Sequence, residues 1–405
     1  MPLTFANVVN AARICGADPR ADPPGLRGSP WTRSPLADFK GGVLMKAEIA
    51  SLALLAVVGT VLAQFRSTPS PALLVLSKRD RTLSIVDPAT LQVVARMPSG
   101  PDPHEVAAST DGKLAYISNY GFGAYNTITV VDLVAQKTLR AIDLGVLHGP
   151  HGLDYTGGKL YFTAEANKVV GRYDPATGQL DWIMGTGQDR THMVAVWKDL
   201  SRIVATNVSS ATLSIFEKSA AGPGPGGPPP GGPPPGGPPP APMPPMPQWT
   251  QTIIGVGRGS EGFDVAPGGS EIWVANARDG TVSVVDVAAK KVVATLEANV
   301  RGANRLKFTP DGKLVLISSL GGSDLAVLDA ATRREVQRVK LGGGAAGIQM
   351  DPDGSRAFVA CTPDNYVAVI DLKTLTVTGR IDAGKEPDGL AWAVGHSSRP
   401  VVGRP

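Results

Sequence analysis

Residues 103–145 read PHEVAASTDGKLAYISNYGFGAYNTITVVDLVAQKTLRAIDLG, and similar stretches recur to the end of the chain. The stretch divides into four short segments with alternating polarity, at 104–108, 114–118, 127–132 and 139–144. The first two are joined by Thr110-Asp111-Gly112, a tight-turn sequence in which glycine supplies a positive φ. Four antiparallel strands in about 40 residues make a sheet too small to bury both faces alone. The stretch therefore predicts one unit of a repeat protein.

Two features of this unit recur. The turn Asp111-Gly112-Lys113 returns as Asp311-Gly312-Lys313 and Asp353-Gly354-Ser355, and the third segment TITVVD returns as TLSIVD, TVSVVD, LAVLD and VAVID. The first segments open at seven positions, which are His104, His151, His192, Glu261, Asn304, Ala346 and Asp388. Subtracting these residue numbers gives spacings of 47, 41, 69, 43, 42 and 42. A period in the low forties with four strands per repeat is typical of a β-propeller.

The two ends of the repeat region complement each other. The region begins with a second, a third and a fourth strand, at 73–76, 83–87 and 93–97, and it ends with a lone first strand at 389–394. Pairing the two ends closes the ring and removes exposed strand edges. We therefore predict an all-β fold, a seven-bladed β-propeller over residues 72–394 with four antiparallel strands per blade.

The repeats PDGKLVLISS (310–319), DPDGSRAFVAC (351–361) and TVSVVD (281–286) resemble those of the YVTN β-propeller family. The resemblance covers residues 72–394 and implies an exported or cell-surface propeller. This fold is shared with lactonases, amine dehydrogenase subunits and the haem d1 domain, and it does not imply any one activity. Lactonase-like propellers use an acidic and amide set of ligands for calcium, from which the histidines of this chain depart.

The chain before the propeller resembles an export signal. Residues 1–44 are rich in Pro, Arg and Gly and have no sustained period. A basic start at Lys46 and an apolar run at 50–63 that ends in small residues are typical of a signal peptide. We expect residues 45–63 to be that peptide, residues 1–44 to be a mis-assigned upstream leader, and the mature protein to be periplasmic, extracellular or on the cell surface. The alternative is an uncleaved anchor; after cleavage we expect no transmembrane domain.

A low-complexity segment at residues 220–248 causes the long spacing of 69 residues. Its Pro/Gly-rich composition cannot form a packed core and favours an extended, partly polyproline-II chain. It separates the predicted third strand (212–217) of its blade from the fourth (249–254). One interpretation is an arm that docks onto an envelope or protein partner, and the other is a tolerated insertion in a hairpin. Residues 395–405 are expected to be a disordered tail.

Composition excludes some functions. The chain is 42% hydrophobic and 18% charged, as in ordinary soluble all-β proteins. Its formal net charge of +4 is not concentrated in a basic run with interleaved aromatics, so we expect no nucleic-acid partner. Of two cysteines, Cys15 lies in the leader, and we interpret Cys361 as a packed core residue. No CxxCH motif is present, which argues against covalent c-type haem.

The opening residues of the seven first strands, here called the column residues, are where we expect chemistry. First strands line the central channel of a propeller, so the column should form a ring at one mouth of that channel. The column contains His104, His151, His192, Glu261, Asn304, Ala346 and Asp388, and Asn119, Glu165, Asn207 and Asn276 end the second strands nearby. Three histidines on consecutive blades, followed by a glutamate, indicate a ligand site.

Several kinds of site fit these residues. His104, His151, His192 and Glu261 could together bind Zn²⁺ or another divalent transition metal, which could polarise a carbonyl or activate water. Without a metal, His and Glu could act as acid and base in a lactonase-like or lyase-like reaction. The remaining alternative is a solvated mouth in which the histidines hydrogen-bond only water and neighbouring groups.

Cations precede several column residues along the chain. Arg190 lies two residues before its column residue, and Arg258, Arg301 and Lys385 lie three residues before theirs. In the loops above the mouth they would favour an anionic small molecule or polymer, or they would simply be solvated. The sequence thus favours a binding or scaffold protein with a ligand or metal site at the mouth. A metal-assisted hydrolase or lyase and a purely structural envelope protein are the alternatives.

Overall fold

The computed structural model describes residues 67–218 and 249–395. The predicted leader, the signal peptide, the Pro/Gly-rich segment and all but the first residue of the C-terminal tail lie outside the described residues. The described part contains 29 β-strands and two short 3-10 helices. None of its helices is long and apolar enough to cross a membrane.

Consecutive strands of the chain form the blades, with four strands in most of them. The chain enters with β1 (Ala72–Ser77), β2 (Thr82–Asp87) and β3 (Gln92–Pro98). Blade 1 contains β4 (Pro103–Ala108), β5 (Leu114–Asn119), β6 (Thr127–Asp132), β7 (Lys137–Thr138) and β8 (Ile142–Asp143). Blade 2 contains β9 (Pro150–Thr156), β10 (Lys159–Ala164), β11 (Val169–Asp174) and β12 (Gln179–Gly185). Blade 3 contains β13 (Thr191–Val196), β14 (Arg202–Asn207), β15 (Thr212–Lys218) and β16 (Trp249–Gly255).

The second half repeats this plan. Blade 4 contains β17 (Ser260–Val265), β18 (Glu271–Asn276), β19 (Thr281–Asp286) and β20 (Lys291–Leu296). Blade 5 contains β21 (Ala303–Phe308), β22 (Leu314–Ser319), β23 (Asp324–Asp329) and β24 (Glu335–Lys340). Blade 6 contains β25 (Ile348–Met350), β26 (Arg356–Cys361), β27 (Tyr366–Asp371) and β28 (Thr376–Ile381), and the last strand is β29 (Pro387–Ala393). The 3-10 helices are Gly121–Gly123 and Glu165–Asn167.

The strands form seven antiparallel sheets in the described residues, six of four strands and one of five. The final strand β29 pairs with β1, with Ala393 opposite Ala72 and Ala391 opposite Leu74. Blade 7 is therefore built from β29 and β1 to β3, the two ends of the repeat region. The predicted seven-bladed propeller and its mode of closure are confirmed.

The predicted continuous strand over 139–144 is wrong in one respect. The structure has two short strands, β7 and β8, with residues 139–141 between them. Thr138 lies opposite Val131 and Ile142 opposite Ile128, so four steps on the outer strand face three steps on β6. The extra residue forms a β-bulge within residues 139–141, where Leu139 still donates its N–H to the Val130 carbonyl oxygen at 2.8 Å. Alternation of side chains along the sequence does not reveal such an insertion.

Packing between blades holds the first strands in place. Ile117 of blade 1 packs with Leu74 and Ile85 of blade 7, and six further clusters of this kind surround the ring. Burying each such side chain contributes roughly 1.5–3 kcal/mol. Cys361 is fully buried in one of these clusters, and burial raises the pKa of its thiol, as expected for a packed residue. The channel is therefore framed by rigid strands.

Candidate functional site

A β-bulge at the column residue shapes almost every first strand. On β4, Pro103 lies opposite Asn119 and Val106 opposite Ile117, so three steps on β4 face two on β5. The same shift occurs on β9, β13, β17, β21 and β29. Because a bulge places one extra residue outside the ladder, the column residue and the residue after it can both face the channel.

The column residues form a tightly packed ring. Four of them are followed by Gly152, Gly262, Gly347 and Gly389. A Cβ atom at any of these glycines would lie 2.1–2.6 Å from the carbonyl oxygen of the next blade's column residue. Neighbouring first strands therefore approach as closely as backbone allows, and the predicted ring is present.

The ring is buried. His104, His151, His192, Asn304 and Asp388 are between 2% and 7% exposed. Only the side chain of Glu261 among the acidic column residues is more accessible, at 17%. The polar side chains contact one another and their neighbours.

His192 lies between two carboxylates. Its Nδ1 atom donates to Oε1 of Glu165, and its Nε2 atom lies 2.7 Å from Oε2 of Glu261. The second contact is an ion pair, and the Nε2 atom makes no hydrogen bond among the described residues. Burial lowers the pKa of His192, but the charge of Glu261 and the hydrogen bond to Glu165 outweigh burial and raise it. Burial alone would raise the pKa of Glu261, yet the charge of His192 lowers it to about 2.

Glu165 connects this pair to the loops. The Tyr120 hydroxyl donates to Oε2 of Glu165 (2.5 Å), and Nε of Arg190 lies 3.4 Å from the same atom. Burial opposes ionisation of Glu165, but its hydrogen bond to His192 prevails and lowers its pKa. The two flanking carboxylates therefore favour the protonated form of His192, and His192 favours the ionised forms of both glutamates. Sequence reasoning missed Tyr120, which directly follows a second-strand end.

His151 occupies the centre of an aromatic group. Its ring stacks on His192 with centroids 3.7 Å apart, and its centroid lies 4.9 Å from Tyr120 and 5.2 Å from His104. Burial, together with the positive charge of His192, keeps the pKa of His151 well below its ordinary value. Its Nδ1 atom is buried and has no hydrogen-bond partner among the described residues. An unpaired buried polar atom costs about 1–3 kcal/mol and requires an explanation.

The other column residues pair locally. Nζ of Lys78 lies 2.8 Å from Oδ2 of Asp388, and Nδ1 of His104 lies 3.2 Å from the carbonyl oxygen of Asp102. Burial lowers the pKa of His104 more than nearby Asp388 raises it. We call His104, Tyr120, His151, Glu165, Arg190, His192 and Glu261 the mouth cluster.

Arg305 and Glu105, which sequence reasoning also missed, meet across the channel. Nε of Arg305 donates to Oε1 of Glu105 at 3.2 Å, and Nη1 donates to Oδ1 of Asn304 at 3.3 Å. Beneath this bridge lies a cavity of about 330 Å³ whose lining contains no column residue. The bridge therefore forms the floor of the mouth. Both residues directly follow a column residue, and strict strand alternation would turn them away from the axis.

The asparagines at the second-strand ends do not join the mouth cluster. Asn119 accepts from Thr127 and Thr129 and donates to the Ser99 carbonyl. Asn207 and Asn276 make comparable bonds within their own blades, and all three are fully buried. Their hydrogen bonds brace the blades, and a contact with a ligand stays a prediction for all three. Glu165 is the one predicted second-strand end that reaches the cluster.

The residue two places before each column residue has a left-handed backbone. It is glycine in four blades, at Gly149, Gly259, Gly302 and Gly344, and it is Asp102, Arg190 and Glu386 in the others. Of the predicted rim cations, Arg190 contacts the cluster, Arg258 pairs with Asp279 at 2.7 Å, and Arg301 and Lys385 are exposed. Arg190 thus occupies a conformation that favours glycine, which is costly for other residues.

The predicted metal ligands come together without forming a metal site. No group of three or more His, Cys, Asp or Glu side chains in residues 67–218 and 249–395 is placed to hold a metal ion. Both ring nitrogens of His192 face carboxylates, and His151 stacks on its ring face. The imidazole nitrogens therefore do not converge on a common point, as metal ligation requires.

Comparisons with known proteins show the fold. No family model and no curated protein matches the chain, so the resemblance to YVTN propellers stays a prediction. A functionally unknown protein from Desulfotomaculum acetoxidans is similar in structure, with a TM-score of 0.64 and 13% identity over 80% of this chain and 99% of that one. A candidate 6-phosphogluconolactonase from Bacteroides uniformis gives 0.63 and 15% over 80% and 99%. One from Bacteroides fragilis gives 0.60 and 16% over 81% and 99%. At these identities the likeness establishes a shared β-propeller fold.

Proposed function

We propose that this protein is a binding β-propeller whose mouth cluster takes a small anionic molecule. The observation that carries the proposal is the buried Nδ1 atom of His151, which has no partner in the described residues. The other titratable members of the cluster are paired with one another or with backbone. In the tautomer that carries its proton on Nδ1, His151 would donate to an oxygen of an anionic ligand, which would complete this cluster.

Arg190 supports the anionic character of the ligand. Its side chain is 38% exposed, and its contact with Glu165 uses Nε at the long distance of 3.4 Å. The remaining guanidinium N–H groups are a fork that suits a carboxylate or phosphate. Of the three non-glycine residues at this left-handed position, Arg190 is the one cation, the other two being Asp102 and Glu386.

Binding fits the cluster better than acid–base catalysis. A general base works best when its pKa lies near the operating pH. Glu261 has a pKa of about 2, and the pKa of His151 is far below the ordinary value, so both are weak bases. The pKa of His192 is raised, but both of its ring nitrogens already face Glu165 and Glu261. Hydrolysis of a lactone is the alternative function, and it would require these groups to change their protonation on substrate binding.

Calorimetric titration of the full chain with inorganic phosphate, citrate and gluconate tests the proposal. We expect at least one anion to bind and the affinity to fall by roughly tenfold, about 1.4 kcal/mol, in His151→Phe and in Arg190→Met. Phenylalanine keeps the aromatic ring of residue 151 and removes both nitrogens. Arg258→Met is the matched control, because Arg258 is a cation that pairs with Asp279 outside the cluster.

Two outcomes would overturn or replace this proposal. Failure of all three anions to bind, or equal binding by the wild type and both cluster variants, would contradict it. Turnover of 6-phosphogluconolactone that is lost in His151→Phe would replace binding with the hydrolase alternative.

Export is the second part of the proposal, and the pattern of residues 45–63 supports it. A signal peptide would deliver the propeller to the periplasm or the cell exterior. N-terminal sequencing of the mature protein checks this, with cleavage expected just after residue 63. Retention of the apolar run in the purified protein would contradict it.

A further inference from the structure

Phe122 is the most exposed large apolar side chain among the described residues, at 83%. Its backbone is left-handed, with φ 51° and ψ 38°. Such a conformation is unfavourable for residues other than glycine, and exposing a phenyl ring to water is unfavourable as well. A residue that combines both costs requires a reason beyond packing.

The loop that carries Phe122 is tethered. Gly121 donates its N–H to Oδ2 of Asp102 (2.8 Å), and Nδ1 of His148 lies 3.2 Å from the Gly123 carbonyl oxygen. The backbone N–H of Ala124 closes the turn by donating to Gly121 at 2.9 Å. The ring of Phe122 is therefore presented by an ordered loop, so little conformational entropy would be lost when a ligand packs on it.

The phenyl ring extends the aromatic side of the mouth cluster. Its centroid lies 4.9 Å from Tyr120 and 6.4 Å from His104, and Tyr120 in turn lies 4.9 Å from His151. The hydroxyl of Tyr120 meets Glu165, which Arg190 also contacts. An aromatic wall and a guanidinium thus lie on two sides of Tyr120.

We propose that Phe122 is a stacking platform and that the mouth takes aromatic carboxylates. The ring of the ligand packs on Phe122, and its acid group pairs with Arg190. This inference rests on the proposed anion-binding function and names the chemical class of the ligand. Burial of apolar area stabilises the complex with either kind of ring. Only an aromatic ligand adds the stabilisation of offset or edge-to-face contacts with Phe122.

A matched pair of ligands separates these contributions. 2-Naphthoate and decahydro-2-naphthoate carry the same acid group on a planar and a saturated skeleton. On the full chain we expect naphthoate to bind roughly 2- to 12-fold more tightly. Phe122→Leu should abolish that preference and Phe122→Trp should keep it. Val146→Ala, at another highly exposed apolar loop residue, is the control and should change nothing.

The outcomes distinguish this inference from the function on which it rests. Equal binding of the two acids by the wild type, or an undiminished preference in Phe122→Leu, would overturn the platform. Phosphate binding that still depends on Arg190 would then leave the anion site standing. Absence of binding by phosphate, citrate, gluconate, 2-naphthoate and decahydro-2-naphthoate would overturn the platform and the anion site together.

Discussion

Arg305 of blade 5 donates through Nε to Oε1 of Glu105 of blade 1, 3.2 Å away across the channel and 200 residues apart in the chain. The two side chains are largely buried. Burial opposes the charge of Arg305, but the charges of Glu105 and Asp388 outweigh it and raise the pKa of the guanidinium. The bridge therefore joins opposite blades through a desolvated ion pair.

Removing one partner of this pair should destabilise the ring. Glu105→Leu or Arg305→Met leaves an uncompensated buried charge and should cost about 3–5 kcal/mol in the free energy of unfolding. The double variant should recover most of that loss, because two apolar side chains need no compensation. Urea unfolding followed by circular dichroism measures the cycle. Arg258→Met, at an exposed ion pair, is the control. Additive losses in the double variant would contradict coupling.

The three histidines of the column should titrate apart. The ordinary pKa is 6.5; that of His192 is raised, whereas those of His104 and His151 are lowered. Imidazole ¹⁵N spectra should show His192 still protonated above pH 6.5 and the other two still neutral below it. Glu261→Gln should lower the pKa of His192, since it removes the largest stabilising charge. A common titration midpoint for all three histidines would refute the placement of His192 between Glu165 and Glu261.

Acid should weaken the fold through His151. Because its folded pKa lies below the unfolded value near 6.5, the stability linked to its neutral form is present above pH 6.5 and is lost as pH falls. His192 has the opposite sign, so its contribution is present below pH 6.5 and is lost as pH rises through its raised folded pKa. Between pH 6.5 and 5.5, His151→Phe should lose stability less steeply than the wild type, by up to ~1.4 kcal/mol per pH unit. Parallel unfolding curves over this range, referenced to pH 7.5, would show that His151 does not contribute.

The division of the chain into blades was predictable because it depends on the local alternation of polar and apolar residues and on the repeat period. The predicted strand at 127–132 coincides with β6, and the lone C-terminal strand predicted the β29–β1 pairing. The ring of column residues followed from the same period. Each of these features depends on residue positions that recur from blade to blade, and such recurrence is visible in a single sequence.

The chemistry of the mouth was only partly predictable because it depends on bulges and on single blades. A bulge turns Glu105 and Arg305 toward the axis, which period-two alternation cannot anticipate. Asn119 ends its second strand and braces its blade, whereas Glu165 lies one residue beyond the end of its own strand, in the register of Tyr120, and binds His192. The one signal that could have been read lies two residues before the column, where four blades have glycine, two have an acidic residue and only Arg190 is a cation.

The close approach of blades at the ring predicts intolerance of one methyl group. A Cβ at Gly389 would lie 2.3 Å from the carbonyl oxygen of His104, across the junction between blades 7 and 1. Its φ is not left-handed, so the effect of Gly389→Ala is steric and should cost about 1–3 kcal/mol or more. Gly185→Ala, on outer strand β12 with nothing within 4 Å of the added atom, is the matched control and should be neutral or slightly stabilising. Thermal unfolding midpoints of the two variants measure the difference. Equal midpoints would mean that the junction relaxes freely, and then the ring could not hold His104 and His151 in the contact on which the binding proposal depends.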